Sequence, residues 1–60
     1  MTVYINYFIH LPDEHERREY ENVTQISQDP VYTDIFYLDH NNKECVIQLK
    51  TACIGEMIIK

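Results

Sequence analysis

The chain is poor in glycine, serine and cysteine, and each scarcity excludes a class of protein. Its one glycine, Gly55, rules out the glycine-rich loops that cradle phosphates. Its two cysteines, Cys45 and Cys53, are too few for a disulfide framework and form no CxxC pair. The one serine, Ser27, has no histidine and acid near it in the arrangement of a Ser-His-Asp triad. We therefore expect no enzyme activity and no cofactor.

Basic residues and long apolar runs are also scarce. Ten acids stand against five bases, which gives a formal net charge of −5. Duplexes and lipid surfaces repel such a chain, so we expect neither direct nucleic-acid binding nor membrane association. No apolar run approaches the ~18 residues of a membrane span, and residues 1–10 lack the basic start of a signal peptide. These absences predict a cytoplasmic protein with reduced thiols.

Histidine and cysteine are the remaining candidates for metal chemistry. The residues concerned are His10, His15, His40, Cys45 and Cys53. Their spacings match no zinc pattern, and two of the histidines fall in predicted loops. We interpret the cysteines as small buried thiols, because a free cysteine commonly packs as a hydrophobic residue. The sequence thus predicts no metal site.

The chain is rich in β-branched and aromatic residues. In the segment 31–50 these residues lie on both sides of Asn41-Asn42. This pattern predicts a β-hairpin. A two-residue loop would place Asp39 opposite Glu44, and facing like charges are unfavourable. We therefore expect a three-residue loop over 41–43. Its predicted pairs are His40–Glu44, Tyr37–Ile47, Ile35–Leu49 and Asp34–Lys50.

The rest of the chain predicts strands that pair with this hairpin. The expected elements are strands over 2–11, 19–27 and 54–60, a turn over 28–30, a 3₁₀ turn over 51–53, and a solvated connection over 12–19. Val23 and Ile26 have opposite parity, so we expect a bulge between them that gives them a common face. Gly55 also predicts a bulge or a close approach of backbones. The connection has no apolar stripe with which a helix could dock.

Five short strands in one domain, residues 1–60, would leave two bare edges in an open sheet. We therefore predict an all-β fold, a small five-stranded antiparallel barrel or a strongly curled meander. It resembles SH3-like and Sm-like barrels, which share a short helical turn before the last strand, and this resemblance concerns the fold alone. The alternative is an α+β fold, an open antiparallel sheet with one short helix near 12–20 that completes its core by dimerising.

The predicted strands carry apolar side chains on both faces, more than one small interior can bury. Apolar residues on the second face are therefore expected to form an interface. The residues assigned to it are Tyr4, Phe8, Phe36, Leu38 and Val46. We predict a small protein-interaction module that self-associates, as a homodimer.

An alternative function follows from the acids that crowd residues 13–39. They favour an inhibitor or adaptor that occupies a basic nucleic-acid-binding cleft on a host protein. The acidic surface is assigned to Glu14, Glu16, Glu19, Glu21 and Asp34. The abundance of Ile, Asn, Lys and Tyr suits an AT-rich bacterial or phage genome.

Overall fold

The computed structural model describes residues 1–8 and 15–60, and most of these residues lie in strands. Their bounds are β1 (Val3–Phe8), β2 (His15–Tyr20), β3 (Val23–Gln28), β4 (Tyr32–Leu38), β5 (Glu44–Lys50) and β6 (Ile54–Ile59). The predicted 3₁₀ turn is confirmed at Thr51–Cys53, between β5 and β6. The all-β class is confirmed as well. The end of the predicted first strand, residues 9–11, and the start of the connection, 12–14, lie outside the described residues.

The described strands form two antiparallel three-stranded sheets, in the orders β2–β1–β6 and β3–β4–β5. Within this part of the chain no ladder closes the two sheets into a ring, which corrects the expectation of a closed five-stranded barrel. The chain crosses from one sheet to the other at Glu21-Asn22, where Asn22 has a φ of 56°. This left-handed conformation divides the strand that was predicted over 19–27. The Val23 N–H then donates to the Met1 carbonyl at 2.9 Å, so the two sheets stay joined at this corner.

The core lies between the sheets, because each contributes the side chains of one face. Its buried members are Val3, Ile5, Val23, Ile35 and Leu49. Half-buried side chains pack against them: Tyr7, Tyr20, Ile26, Tyr37, Ile47, Ile54 and Met57. Full burial of one such aliphatic side chain contributes about 1.5–3 kcal/mol. Since alternate residues of a strand point to opposite faces, the other face of each sheet is directed away from this core.

Strand β2 replaces most of the solvated connection predicted over 12–19, and it excludes a helix over residues 15–20. The inward position opposite Ile5 is held by Arg18. Its guanidinium lies 4.6 Å from the centroid of the Tyr7 ring and forms a salt bridge with Glu16. The cation thus covers an aromatic face while its charge is neutralised by an acid of the same strand. This is how a strand whose core contact, among the described residues, comes from Tyr20 alone can lie at the edge of the sheet.

The central hairpin lies where it was predicted, but its register is different. The observed pairs include Ile35–Ile47, Phe36–Val46 and Leu38–Glu44. The loop is 40–42, closed by the Asp39 N–H donating to the Lys43 carbonyl at 3.0 Å. Asn42 takes the left-handed position, with a φ of 59°. The Asp39 carboxylate accepts the N–H groups of Asn41 at 2.8 Å and of Lys43 at 3.0 Å. An asparagine at positive φ and an aspartate at the first turn position favour this loop over the predicted one.

Both predicted bulges are confirmed. The register of β3 against β4 shifts between Val23 and Gln25, and that of β6 against β1 shifts where Gly55 has no partner. A Cβ atom on Gly55 would lie 2.6 Å from Cε2 of Phe8, so only glycine leaves room for this ring as it stands. The two bulges bend the strands that border the core on either side.

The turn predicted over 28–30 is present one residue later, over 29–31, because Gln28 still belongs to β3. A buried hydroxyl ties this turn to the 3₁₀ turn. The Asp29 carboxylate accepts the N–H groups of Val31 at 2.8 Å and Tyr32 at 2.6 Å. The hydroxyl of Thr51 donates to the Asp29 carbonyl at 2.8 Å and accepts from the buried Thr33 hydroxyl, also at 2.8 Å. These bonds join the β3–β4 turn to the end of β5 at one end of the sheet.

Candidate interaction surfaces

The five residues predicted to form one interface lie on two different surfaces. Tyr4 and Phe8 are on the outer face of the β2–β1–β6 sheet, since their neighbours Val3 and Ile5 are buried. Phe36, Leu38 and Val46 are on the outer face of the β3–β4–β5 sheet, which we call the outer β4 face. The two surfaces point away from each other on opposite sides of the core. The sequence identified the outward residues but did not separate the two sheets.

The outer β4 face carries a compact apolar patch. Phe36 lies directly opposite Val46, and Leu38 is the next outward residue along β4. Val46 is 58% exposed, whereas Phe36 and Leu38 are half-buried. A depression of about 260 Å³ opens beside the patch. It is lined by Thr24, Gln25, Phe36, Tyr37 and Glu44. The patch is therefore apolar at its centre and polar at its rim, as in protein–protein interfaces.

Tyr4 presents its ring to cations on the opposite surface. The guanidinium of Arg17 lies 5.4 Å and the ammonium of Lys60 5.6 Å from its ring centroid. A hydrogen bond with Glu19, together with the negative charge of that side chain, raises the pKa of the Tyr4 hydroxyl. Periodicity along the chain does not indicate these contacts, because Lys60 reaches Tyr4 through the pairing of β6 with β1. Tyr4 is thus already engaged by side chains of its own sheet.

Phe8 lies at the other end of β1, against the backbone of β6. Its ring covers Gly55, and a depression of about 280 Å³ opens next to it. The residues that line this depression are Asn6, Phe8, Gly55 and Glu56. Apart from the Phe8 ring, the residues that line this depression are two polar side chains and a glycine.

The acids predicted to form one surface are distributed over the molecule. Glu16 bonds Arg18 on the inward side of β2, and Glu19 lies next to Tyr4 on the outer side. Glu21 is exposed in the connection to β3, while Asp34 lies on the outer β4 face. The remaining one, Glu14, lies outside the described residues. Oδ1 of Asp34 is shielded from solvent and has no hydrogen-bond partner among the described residues.

The described residues bring no metal-binding or catalytic cluster together. Within residues 1–8 and 15–60, no three side chains of the His, Cys, Asp and Glu types lie close enough to share a metal ion. Cys45 and Cys53 are free and half-buried. His40 is exposed in the hairpin loop, and His10 lies outside the described part of the chain. In the same part, no helix has both the length and the apolarity to cross a bilayer.

Comparison of the chain with protein-family models, with curated proteins and with solved structures finds no match. Function is therefore inferred from the surfaces alone. Of these, the outer β4 face combines an exposed apolar centre with a polar rim.

Proposed function

We propose that this chain is a small protein-interaction module that self-associates through the outer β4 face. The observation that carries the proposal is the pair formed by Phe36 and the 58% exposed Val46, with Leu38 beside them. These side chains face away from the core, so they gain burial only against another molecule. A cytoplasmic location, in which the free thiols stay reduced, is part of the proposal.

The small size of the chain supports this function. A domain of about 60 residues buries only about 60% of the surface of its unfolded chain and is marginally stable alone. Contiguous apolar surface on such a domain commonly marks an interface. The five buried apolar residues among those described form a small core. A second copy that covers the outer β4 face would add to it.

We also propose that the two sheets are related to the halves of an SH3-like or Sm-like barrel. The order of elements supports this relationship: a chain that bends from one sheet into the other at Asn22, and a 3₁₀ turn before the last strand. The relationship concerns the fold and carries no function with it.

Sedimentation equilibrium of the purified chain over the micromolar range tests self-association. The expected result is a reversible monomer–dimer equilibrium. Matched variants, Phe36→Thr and Phe8→Thr, compare the two outer surfaces, because each exchanges a half-buried phenylalanine for a residue that suits strands. Phe36→Thr should weaken the dimer more. A wild-type chain that remains monomeric throughout, or a dimer weakened only by Phe8→Thr, contradicts the proposal.

A second candidate function is an acidic inhibitor or adaptor that occupies a basic cleft on another protein. Its support is the net charge of −5, together with Asp34 and Glu44 on the outer β4 face. A basic partner would meet apolar and acidic groups on the same surface. Binding of an isolated basic partner that persists unchanged at high salt would argue against this mode, because exposed charge pairs are screened.

A further inference from the structure

We propose that the second copy adds to the open edge of β5, so that two β5 strands pair antiparallel about a twofold axis at Ile47. The proposal rests on the self-association inferred above and places the contact at the edge of the same sheet, where Val46 of the outer β4 face lies on the edge strand and Phe36 on the strand next to it. The two β3–β4–β5 sheets would then form one continuous six-stranded sheet across the dimer.

Strand β5 is the least protected edge among the described strands. Natural edges are usually blunted by bulges or by charges that point inward. Strand β2 has the inward Arg18–Glu16 pair, β3 has the bulge after Val23, and β6 has the bulge at Gly55. Strand β5 runs for seven residues against β4 without a shift in register. It therefore offers a regular template for another strand.

The backbone groups at this edge can be identified from hydrogen bonds on either side. The Leu38 N–H donates to the Asn22 carbonyl at 3.1 Å, so even-numbered residues of β4 are directed toward β3. Odd-numbered residues of β4 then bond the odd-numbered residues of β5. Even-numbered residues of β5 are therefore directed away from β4. The Lys50 N–H is consistent with this direction, because it donates to the Tyr7 hydroxyl at 3.4 Å. The residues whose backbone groups face the open edge are Glu44, Val46 and Gln48.

The charges of β5 are self-complementary about its centre. Ile47 is the middle residue of the strand, and Glu44 and Lys50 are its first and last residues. In an antiparallel pair centred on Ile47, each Glu44 lies opposite a Lys50 of the partner copy, twice by symmetry. The salt bridge within the described residues joins Arg18 and Glu16, so Glu44 and Lys50 are both available for this contact.

A register centred on Val46 is the competing choice. It would place Glu44 opposite Gln48 and leave both charged residues unmatched. The register centred on Ile47 instead brings the half-buried Ile47 against its own copy in a close, non-hydrogen-bonded position. Its central backbone rungs join Val46 and Gln48, and the outermost pair contributes mainly through its side chains because the Lys50 N–H already has a partner.

Charge reversal distinguishes these arrangements. Glu44→Lys alone places two lysines opposite each other, and Lys50→Glu alone places two glutamates opposite each other. Each variant should dimerise about tenfold more weakly than the wild type by sedimentation equilibrium, because two attractive pairs become repulsive. An equimolar mixture of the two variants, and the double variant, should restore the wild-type affinity. Glu56→Lys, which makes the same charge change on the opposite surface, is the control and should not weaken the dimer.

The sign of the Glu44→Lys effect is informative. This substitution lowers the net negative charge, so general repulsion between copies would decrease and association would strengthen. The pairing centred on Ile47 requires the opposite. A wild-type dimer that the charge reversals leave unchanged, or that the mixture does not restore, overturns the β5 pairing and leaves self-association standing. A monomeric wild type overturns both.

Discussion

Val46→Ala is the substitution that most directly measures the outer β4 face. Val46 is 58% exposed, so about six-tenths of its possible burial remains to be gained on association. Full burial of a valine side chain contributes about 2 kcal/mol, which leaves about 1 kcal/mol for each copy. A symmetric dimer contains two copies of Val46. The substitution should therefore weaken the dimer by about 2 kcal/mol, which raises its dissociation constant about 30-fold.

Val31→Ala is a matched control for this measurement. Val31 is 61% exposed, nearly as much as Val46, but it lies in the β3–β4 turn rather than on β5. Sedimentation equilibrium of both variants should show a weakened dimer for Val46→Ala and an unchanged one for Val31→Ala. Urea unfolding should show that each monomer loses less than about 1 kcal/mol. Equal weakening by the two substitutions, or none by Val46→Ala, would refute the reasoning.

Three further predictions concern the stability of the monomer, each measured by urea unfolding. Hydrogen bonds from the N–H groups of Tyr32 and Val31 lower the pKa of the Asp29 carboxyl in the folded state. The stability that these bonds contribute is present above the unfolded pKa of about 3.9 and is lost as the pH falls through the lower folded pKa. Asp29→Asn should therefore flatten the dependence of the free energy of unfolding on acid pH. Asn42 has a φ of 59°, so Asn42→Val should lower the free energy of unfolding by about 1–2 kcal/mol and Asn42→Gly should not; equal effects would contradict the left-handed turn. Ile35 is 0% exposed, so Ile35→Ala should lower the free energy of unfolding by about 2–5 kcal/mol. The free energy of unfolding expected for the whole domain is roughly 3–9 kcal/mol. A loss under about 1 kcal/mol would contradict the place of Ile35 in the core.

Local chemistry made several elements predictable from the sequence. Val23 and Ile26 are an odd and an even position, so in a regular strand their side chains would point to opposite faces. A bulge between them is what allows both to face the core. Gly55 was the one residue without a Cβ, and the ring of Phe8 occupies the space that a Cβ would need. The predicted hairpin register is wrong because the turn, and not the charge pairs across the strands, determines it. The Asp39 carboxylate and the left-handed Asn42 determine the loop, and the pairing follows from it.

Strand β2 and the division of the surfaces could not be predicted from periodicity. The inward position of Arg18 depends on Tyr7 and Glu16, which offer a ring and a counter-charge only once β1 and β2 are paired. The alternation of apolar and polar residues indicates which face of a strand a residue occupies, but it does not indicate which sheet the strand joins. The prediction of a single interface with Tyr4 and Phe36 is therefore wrong, because the bend at Asn22 places their strands in different sheets, on opposite sides of the core.

The side chain of Val46 belongs to the apolar patch, and its backbone belongs to the open edge of β5. Val46→Ala therefore tests the patch, and the charge reversals at Glu44 and Lys50 test the pairing of the edge. If two copies stack through their outer β4 faces, Val46→Ala and Phe36→Thr both weaken the dimer, and mixing the Glu44 and Lys50 reversals does not restore the wild-type affinity. If they join through β5 alone, the reversals dominate and Phe36→Thr has little effect, because Phe36 lies one strand away from the edge. Sensitivity to both requires a sheet that continues across the dimer with the two Val46 side chains close to the twofold axis. In that arrangement the hydrophobic patch stabilises the pair, and the charges of β5 select its register.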